Sequence, residues 1–391
     1  MSPHPSARLL ALCARPGDGA DGEAVRAAAA AVRDWDGFLA RADREGLLPL
    51  VHWRLADRVE TVPEPVRDRL RLAFLRQVAR AARIYRELEP VLEFFRRAGL
   101  RAALTKGARL ALDVYPDMAL RPFWDVDFIV HPSDWPAVRD LLARLGFVET
   151  SGRPEGEGLP PGRPLDWTFS PYYKKGSLFL EFHAHPLGLH FPDRRQDGFW
   201  SSSGRLAVRG TAALVLPAEN EICYLCVHAQ QHSYDRLIWL ADIARLAGRP
   251  GLDWDWVCRI SREERIRGPV FYGLSLAETL WPGSVPASPR AALRPGPVES
   301  AGLRLLWPEA ATAARREAPA WPYYMPSIFS LWERRDPVLA ARTLREIFFP
   351  PRAWLASATG VAASSPRLYG RYLERVFRPA VTAARRLMGV K

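Results

Sequence analysis

Leu104-Thr105-Lys106-Gly107-Ala108, followed shortly by Arg121-Pro122-Phe123-Trp124-Asp125-Val126-Asp127-Phe128-Ile129-Val130, is the stretch on which the reading of this chain turns. Asp125 and Asp127 stand two apart inside an apolar, β-prone run. In a strand, residues i and i+2 share a face and lie roughly 6.6 Å apart along the backbone. Both carboxylates then lean to one side and reach ions held ~3.5–4 Å from each other, the spacing of two-metal phosphoryl transfer. On a helix the same pair diverges by about 200° and shares no metal. The run predicts a strand.

The flanking residues add weight. Leu100–Thr105 reads as a preceding strand, and Lys106-Gly107-Ala108 closes it and opens a helix over Ala108–Tyr115. A glycine there lets backbone amides approach a triphosphate, and Arg121 offers a planar fork to phosphate. Downstream, Leu165–Tyr172 and Ser177–His183 read as a hairpin around Lys174-Lys175-Gly176. The second arm alternates, with Leu178, Leu180 and Phe182 on one face and Phe179, Glu181 and His183 on the other. Glu181 is thereby a third acid. Three carboxylates on neighbouring strands repel one another unless a cation joins them; the plainer alternative is a set of surface acids beside an ordinary strand-to-helix turn.

The quoted residues, with Tyr115, Gly146-Phe147 and Glu181-Phe182-His183, resemble the nucleotidyltransferase (DNA polymerase β-like) superfamily. More closely, they resemble a bacterial family of uncharacterised nucleotidyltransferases often found beside natural-product and peptide-modification genes. The similarity extends from about Trp35 into the C-terminal region, through His228-Ala229-Gln230-Gln231-His232 and Trp239-Leu240-Ala241-Asp242-Ile243-Ala244. It implies an α+β fold, a small mixed-sheet core flanked by N-terminal and C-terminal helical regions. It also implies two Mg²⁺ (or Mn²⁺) ions on Asp125, Asp127 and Glu181, with an NTP whose phosphates meet Lys106, Gly107, Ala108 and Arg121. His183, His228, His232 and Asp242 are expected at the cleft, for nucleotide or acceptor. Hydrogen-bonded structural roles compete with this for the two α-helical histidines, and helix packing competes for Asp242, which otherwise is a candidate base. For His183 and His185, orienting Glu181 or satisfying the core is favoured over ligation. The chain has Gly107-Ala108 where the superfamily carries Gly-Gly or Gly-Ser. Lys106 and Arg121 match related toxin-type transferases.

Organisation follows from periodicity. Residues 1–99 form an N-terminal helical region, with Asp34 opening one helix and a long helix from Val66 to Arg97 striped by Leu70, Phe74, Val78, Ala81, Tyr85, Leu88, Leu92 and Phe95. Residues 100–216 form the core, with a helix over Pro132–Leu145 and an exposed loop, a candidate lid, over Thr150–Pro164. Residues 217–285 form a helical domain, which the resemblance implies completes the cleft, with helices over Pro217–Gly248, Trp254–Arg262 and Val270–Leu280. Residues 286–391 are helical, basic and interrupted at Pro322, Pro326, Pro350 and Pro351, beyond a linker over Gly283–Pro297. On the helix bearing Cys223, Cys226, His228 and His232, the cysteines point to about 0° and 300° and the histidines to about 140° and 180°. One tetrahedral zinc cannot gather all four.

The chain's 391 residues, 48% hydrophobic and 25% charged, suit two or three soluble domains. No apolar run approaches the ~20 residues of a membrane helix, the N-terminus lacks a convincing signal peptide, and four cysteines without a framework suit a reducing cytoplasm. The net charge of +12 is concentrated: residues 301–391 hold 15 basic and 6 acidic side chains, a surplus of nine. The stretch Leu368–Leu387, with Tyr369, Tyr372, Val376, Ala380, Ala384 and Leu387 on one side, is expected to pack on the chain's own body, not on a membrane surface, and to break at Pro379. Three functions remain in view. The first is NMP transfer from an NTP to a small-molecule or peptide acceptor. The second is a non-catalytic nucleotide- or peptide-binding accessory protein of the same fold, which metal-dependent pyrophosphate release distinguishes. The third, less favoured, is nucleic-acid modification through the basic C-terminal quarter, which would bring steep salt dependence.

Overall fold

The computed structural model describes residues 5–17, 22–56, 59–150, 172–187, 197–232, 234–297 and 352–387, with single positions between 300 and 350. Helices come first: α1 (Pro5–Ala14), α2 (Gly22–Ala30), α3 (Trp35–Arg44), α4 (Leu48–Leu55) and α5 (Glu64–Arg97). The Asp34 carboxylate accepts from the Gly37 N–H at 2.8 Å, the N-cap its position predicts. Along α5, Leu70, Ala81, Tyr85, Leu88, Leu92 and Phe95 are buried, and Gly99, at φ +64, turns the chain out of the helix.

The core follows as β1 (Ala102–Thr105), α6 (Lys106–Asp113), β2 (Val126–Val130), α7 (Trp135–Arg144), β3 (Val148–Thr150), β4 (Tyr172–Lys175), β5 (Leu178–His183), α8 (Asp197–Ser201), β6 (Gly204–Val208) and β7 (Thr211–Val215). Its seven strands lie in the order β3-β4-β5-β2-β1-β7-β6. β2 runs antiparallel to β1 and parallel to β5, and β1 runs parallel to β7. The fold is α+β, with a mixed sheet between helical flanks.

The pleat sorts the central strands onto two faces. Val126, Phe128 and Val130 join Leu180 and Phe182 in a cluster roofed by Leu88, Leu92 and Phe95 of α5 and by Trp135, Val138 and Leu142 of α7. Phe128 and Phe182 stack with centroids 5.6 Å apart, a contact worth ~0.5–1.5 kcal/mol beyond its area. The odd-numbered residues face the other way. Ala103, Ile129 and Leu216 meet Tyr224 of α9 (Ala218–Gln231) there. Thr105, Asp127, Glu181 and His183 belong to that second face by alternation.

Beyond α9 come α10 (Leu237–Ala247), α11 (Trp254–Glu263), α12 (Arg267–Leu280), α13 (Ala287–Ala292), α14 (Arg352–Thr359) and α15 (Arg367–Leu387). One hydrophobic cluster joins α1–α4 to α9–α13, with Leu9, Leu50 and Val51 beside Ile243, Leu246 and Val270. The N-terminal helices and α9–α13 thus share a core, and the sheet lies between them in sequence.

Several local expectations are corrected. Lys174 and Lys175 lie in the first arm of the hairpin, opposite Phe179 and Leu178, not in its turn. The single helix expected over Pro217–Gly248 is two, α9 and α10. The stretch Gly283–Pro297 contains α13 and seats Leu293 in the core. The hairpin β6–β7 was not anticipated, its Gly204–Val208 arm being mostly exposed and weakly alternating. Helix α15 runs through Pro379; of the expected stripe Tyr369 is exposed and Tyr372 and Val376 are half-buried, while Leu373, Phe377 and Val381 beside it are half or more exposed. The candidate lid over residues 151–164, the strand over 165–171 and the breaks at Pro322, Pro326 and Pro351 lie outside the described residues. Among those described, no helix is long and apolar enough to cross a membrane.

Asp134 clamps the sheet to α7. Its carboxylate accepts from the Arg101 backbone N–H at 2.9 Å and from the guanidinium Nε and Nη2 at 3.0 Å each. Those bonds hold the carboxyl near pKa 2, against an ordinary 3.8. A carboxyl lowered in the folded state contributes stability above its unfolded pKa and loses it as pH falls through the folded one. Asp134→Asn is therefore expected to cost of order 1 kcal/mol at pH 7, after screening at the partly exposed guanidinium. The gap to wild type should close between pH 4 and 2 in parallel thermal melts, and equal melting temperatures at pH 7 would contradict this.

Candidate active site

β2 and β5 pair in parallel with Asp127 opposite Glu181 and Ile129 opposite His183. Because β5 alternates buried and half-buried residues, Glu181 and His183 emerge on the face that Asp127 shares. The His183 Nε2 stands 3.1 Å from Asp127 Oδ1 and 3.4 Å from Glu181 Oε2. Asp127, Glu181 and His183 offer ligand atoms within 4.8 Å of one another, the group of metal-ligating type found among the described residues. His183 thus faces both acids, within reach of the Glu181 it was expected to orient and also placed as a candidate ligand. His185 is buried elsewhere, its Nδ1 accepting from the Leu187 N–H at 3.1 Å.

Asp125 falls outside that group. It precedes β2, half-buried, beside exposed Trp124. Burial, and then the charges of Asp127 and Glu181, push its carboxyl up to about 7. Glu181 behaves oppositely: burial acts to raise it, yet His183 and Lys106 hold it well below the usual carboxylate range. One acid of the three is thus strained by its neighbours while another is compensated by cations.

Lys106 supplies that compensation. Its Nζ donates to Asp127 Oδ1 at 2.7 Å, lies 3.2 Å from His183 Nε2 and stands 3.8 Å from Glu181 Oε2. Its backbone adopts φ +51, in the left-handed region that lysine rarely enters. Glu221 of α9 holds it there. The Glu221 carboxylate accepts from the Lys106 N–H at 2.7 Å, from Thr105 Oγ1 at 2.9 Å and from Arg109 Nη1 at 2.9 Å. This carboxylate sits where α6 presents its first N–H groups, the position at which a helix start attracts an anion.

Gly107 and Ala108 are buried. A Cβ on Gly107 would come within 2.7 Å of Phe123 Cβ, so close backbone packing accounts for the glycine. Ala108 is fully buried, and its carbonyl accepts from Tyr85 Oη at 2.7 Å. Arg121 turns away from the acids: its Nε lies 2.9 Å from both Asp242 oxygens and its Nη2 2.7 Å from Oδ2. Tyr115 Oη donates to the same carboxylate at 2.7 Å. Asp242 has no solvent exposure and Arg121 very little, so the pair joins the α6–β2 loop to α10 inside the protein. The helix-packing role for Asp242 is the one the geometry favours. A different arginine borders the acids: Arg80 of α5 stacks on the Trp124 ring at 3.9 Å and feels the Asp125 charge.

His228 and His232 share the α9 face of Glu221 and Tyr224, with ring centroids 4.6 Å apart and each 5.1 Å from Trp239. Burial and then Lys106 lower both, His232 to about 4, so both rings are neutral at pH 7. The cysteines look the other way. Cys223 Sγ lies 3.9 Å from Ser261 Oγ, and Cys226 presses on Gly273, whose added Cβ would meet its Sγ at 2.7 Å.

Comparison with known families decides the kinship. The profile of a family described as an uncharacterised nucleotidyltransferase matches residues 31–282, well over half the chain. The chain belongs to that family. The match takes in the whole sheet and α9–α12 and stops short of α14 and α15. No curated protein and no solved structure matches the chain.

Glu221 and Arg80 escaped the sequence reading. Glu221 was findable, since it precedes His228 and His232 by seven and eleven residues and so shares their helix face. Arg80 carried no signal among the many arginines of α5.

If Arg121 serves structure, Arg121→Met should cost about 3–5 kcal/mol by stranding the Asp242 carboxylate, and adding Asp242→Leu should recover most of it. Urea denaturation of both variants measures this. A fully stable Arg121→Met with weakened nucleotide binding would instead place the arginine on phosphate.

Proposed function

We propose that this nucleotidyltransferase-family chain is a metal-dependent enzyme that moves an NMP from an NTP to the hydroxyl or phosphate of a small molecule or peptide. An acceptor oxygen attacks the α-phosphorus, the bond to the bridging oxygen of the β-phosphate breaks, and pyrophosphate leaves. The observation that carries the reading is the pairing of Asp127 with Glu181 across parallel strands, with His183 beside them. Two hard carboxylate donors and one imidazole fit a Mg²⁺- or Mn²⁺-type ion, and the raised Asp125 carboxyl marks a place where further positive charge would be welcomed. Asp127, Glu181 and His183 would hold such an ion, with Asp125 beside them for a second. Bound there, it would supply charge neutralisation at the phosphates and a more acidic acceptor hydroxyl.

The chain's own groups supply the rest. Lys106 and Arg80 are the cations nearest the acids and the ones placed to meet a triphosphate. His228, His232 and Trp239 give the α9–α10 side of the cleft a neutral, aromatic lining suited to a base or an acceptor ring. The helices over residues 217–285 complete the cleft around the 100–216 core, and cytoplasmic work in a biosynthetic route suits a chain of this composition.

A second reading has a specific observation behind it. With Glu221 at the α6 N-terminus and Lys106 on the acids, both phosphate-attracting features are already satisfied within the protein. A non-catalytic binding protein of the same fold would look like this too. The two separate on one assay. Asp127→Asn and Glu181→Gln, each removing a negative charge without changing shape, should reduce NTP-dependent pyrophosphate release at least about 10³-fold while leaving circular dichroism unchanged. Wild-type turnover in either variant, or no metal-dependent release from any NTP with any acceptor, would defeat the enzymatic reading.

A further inference from the structure

Two cations cannot occupy the acid cluster together. The Lys106 ammonium already touches all three candidate ligands, at 2.7 Å from Asp127, 3.2 Å from His183 and 3.8 Å from Glu181. An ion bound at about 2.0–2.2 Å from the same side chains would lie within a few ångströms of Nζ, where like charges repel strongly in a buried setting. We infer that Lys106 is a built-in counter-cation of this site, and that a divalent ion enters by displacing its side chain. The inference rests on the metal-dependent reading above and deepens it.

The backbone geometry says how the exchange is confined. Lys106 is held at φ +51 by the Glu221 carboxylate, which also binds Thr105 Oγ1 and Arg109. On its other side Gly107 packs against Phe123 with no space for a Cβ. The peptide on each side is therefore fixed, and the freedom left lies in the four side-chain torsions of the lysine. A left-handed backbone is unfavourable at a lysine, and it persists where surrounding structure over-determines it. Glu221 is accordingly a positioning residue. It aims the ammonium at the acids and keeps α6 from drifting when the ammonium leaves. Once released, the lysine is a cation beside the ions, free to meet the phosphates of an incoming NTP.

The chain has four lysines, and the hairpin pair Lys174 and Lys175 is exposed, so the exchange is readable by chemistry. Acylation of the full-length protein with N-hydroxysuccinimidyl acetate, followed by peptide mass spectrometry, is to be run with and without saturating Mn²⁺. Lys106 labelling should rise at least severalfold with Mn²⁺, while Lys174 and Lys175 stay level. Unchanged Lys106 labelling in protein shown by calorimetry to hold Mn²⁺ overturns the inference. Variants give an independent reading: Lys106→Met should bind Mn²⁺ roughly tenfold tighter than wild type, and Lys106→Arg, which keeps the charge, should not. Glu221→Gln should shift Mn²⁺ affinity in the direction of Lys106→Met with the fold intact. Mn²⁺ binding that Asp127→Asn abolishes but Lys106→Met leaves unimproved overturns the counter-cation and spares the metal site. If neither wild type nor Lys106→Met binds Mn²⁺, the metal-dependent reading fails and takes this inference with it.

Discussion

Mutual repulsion between Asp127 and Glu181 is the constraint around which this molecule is arranged. Parallel pairing of β2 with β5 sets the two acids side by side, on the sheet face turned toward α9. Few buried arrangements are as costly, since each carboxylate loses hydration and gains a like-charged neighbour. The surroundings respond with positive charge. Lys106 spans the pair, and His183, drawn up from its ordinary pKa by Glu181 and Asp127 against burial and the nearby lysine, adds to it. Asp125 stays raised, the Lys106 charge offsetting burial and the neighbouring acids only in part. A cluster assembled this way is poised toward cations in general, and which one occupies it depends on the medium.

The second organising feature is the reach of one helix face to the sheet. Glu221, Tyr224, His228 and His232 succeed one another along that face of α9, and each has its own contacts. Glu221 fixes the turn between β1 and α6, Tyr224 packs with Ala103 and Ile129, and the histidines pack with Trp239. The Arg121–Asp242 pair, sealed by Tyr115, ties the same two parts together behind the site. Charge in this protein falls in two buried sets, one tying elements together and the other gathered around Asp127 and Glu181.

Much of this was readable from residues alone, and the reason is periodicity. The alternation in Leu178–His183 placed Glu181 opposite the apolar face, whereas the strand read from the two-residue spacing of the aspartates takes in Asp127 and leaves Asp125 just before it. What sequence could not provide was the partner of each charge. Arg121 read as a phosphate ligand because arginines bind phosphate, yet an aspartate 121 positions away claimed it. Gly107 read as a phosphate-loop glycine because glycine permits close approach, and here the approaching group is Phe123. Glu221 could be placed on the helix face of His228 and His232, but its role exists only through a contact across 115 residues. On α15 the expected stripe is half-buried at Tyr372 and Val376, and a second apolar row, Leu373, Phe377 and Val381, which periodicity did not single out, stands in solvent.

The shared core of α1–α4 with α9–α13 bears on how the polypeptide assembles during synthesis. Arg245 Nη1 donates to the Ala14 carbonyl at 2.8 Å, and the Leu237 N–H to Glu45 Oε2 at 2.8 Å, contacts bridging roughly two hundred residues of chain. When the first four helices leave the ribosome their apolar sides have only one another and α5 to meet, and part of that surface stays open until the sheet and then α9 and α10 have been made. Such distant closure slows folding and lengthens the interval in which greasy surface is open to aggregation. The nascent chain therefore has a period of dependence on its own later half, and the sheet, whose strands pair over shorter spans, is the portion equipped to form while the helices wait.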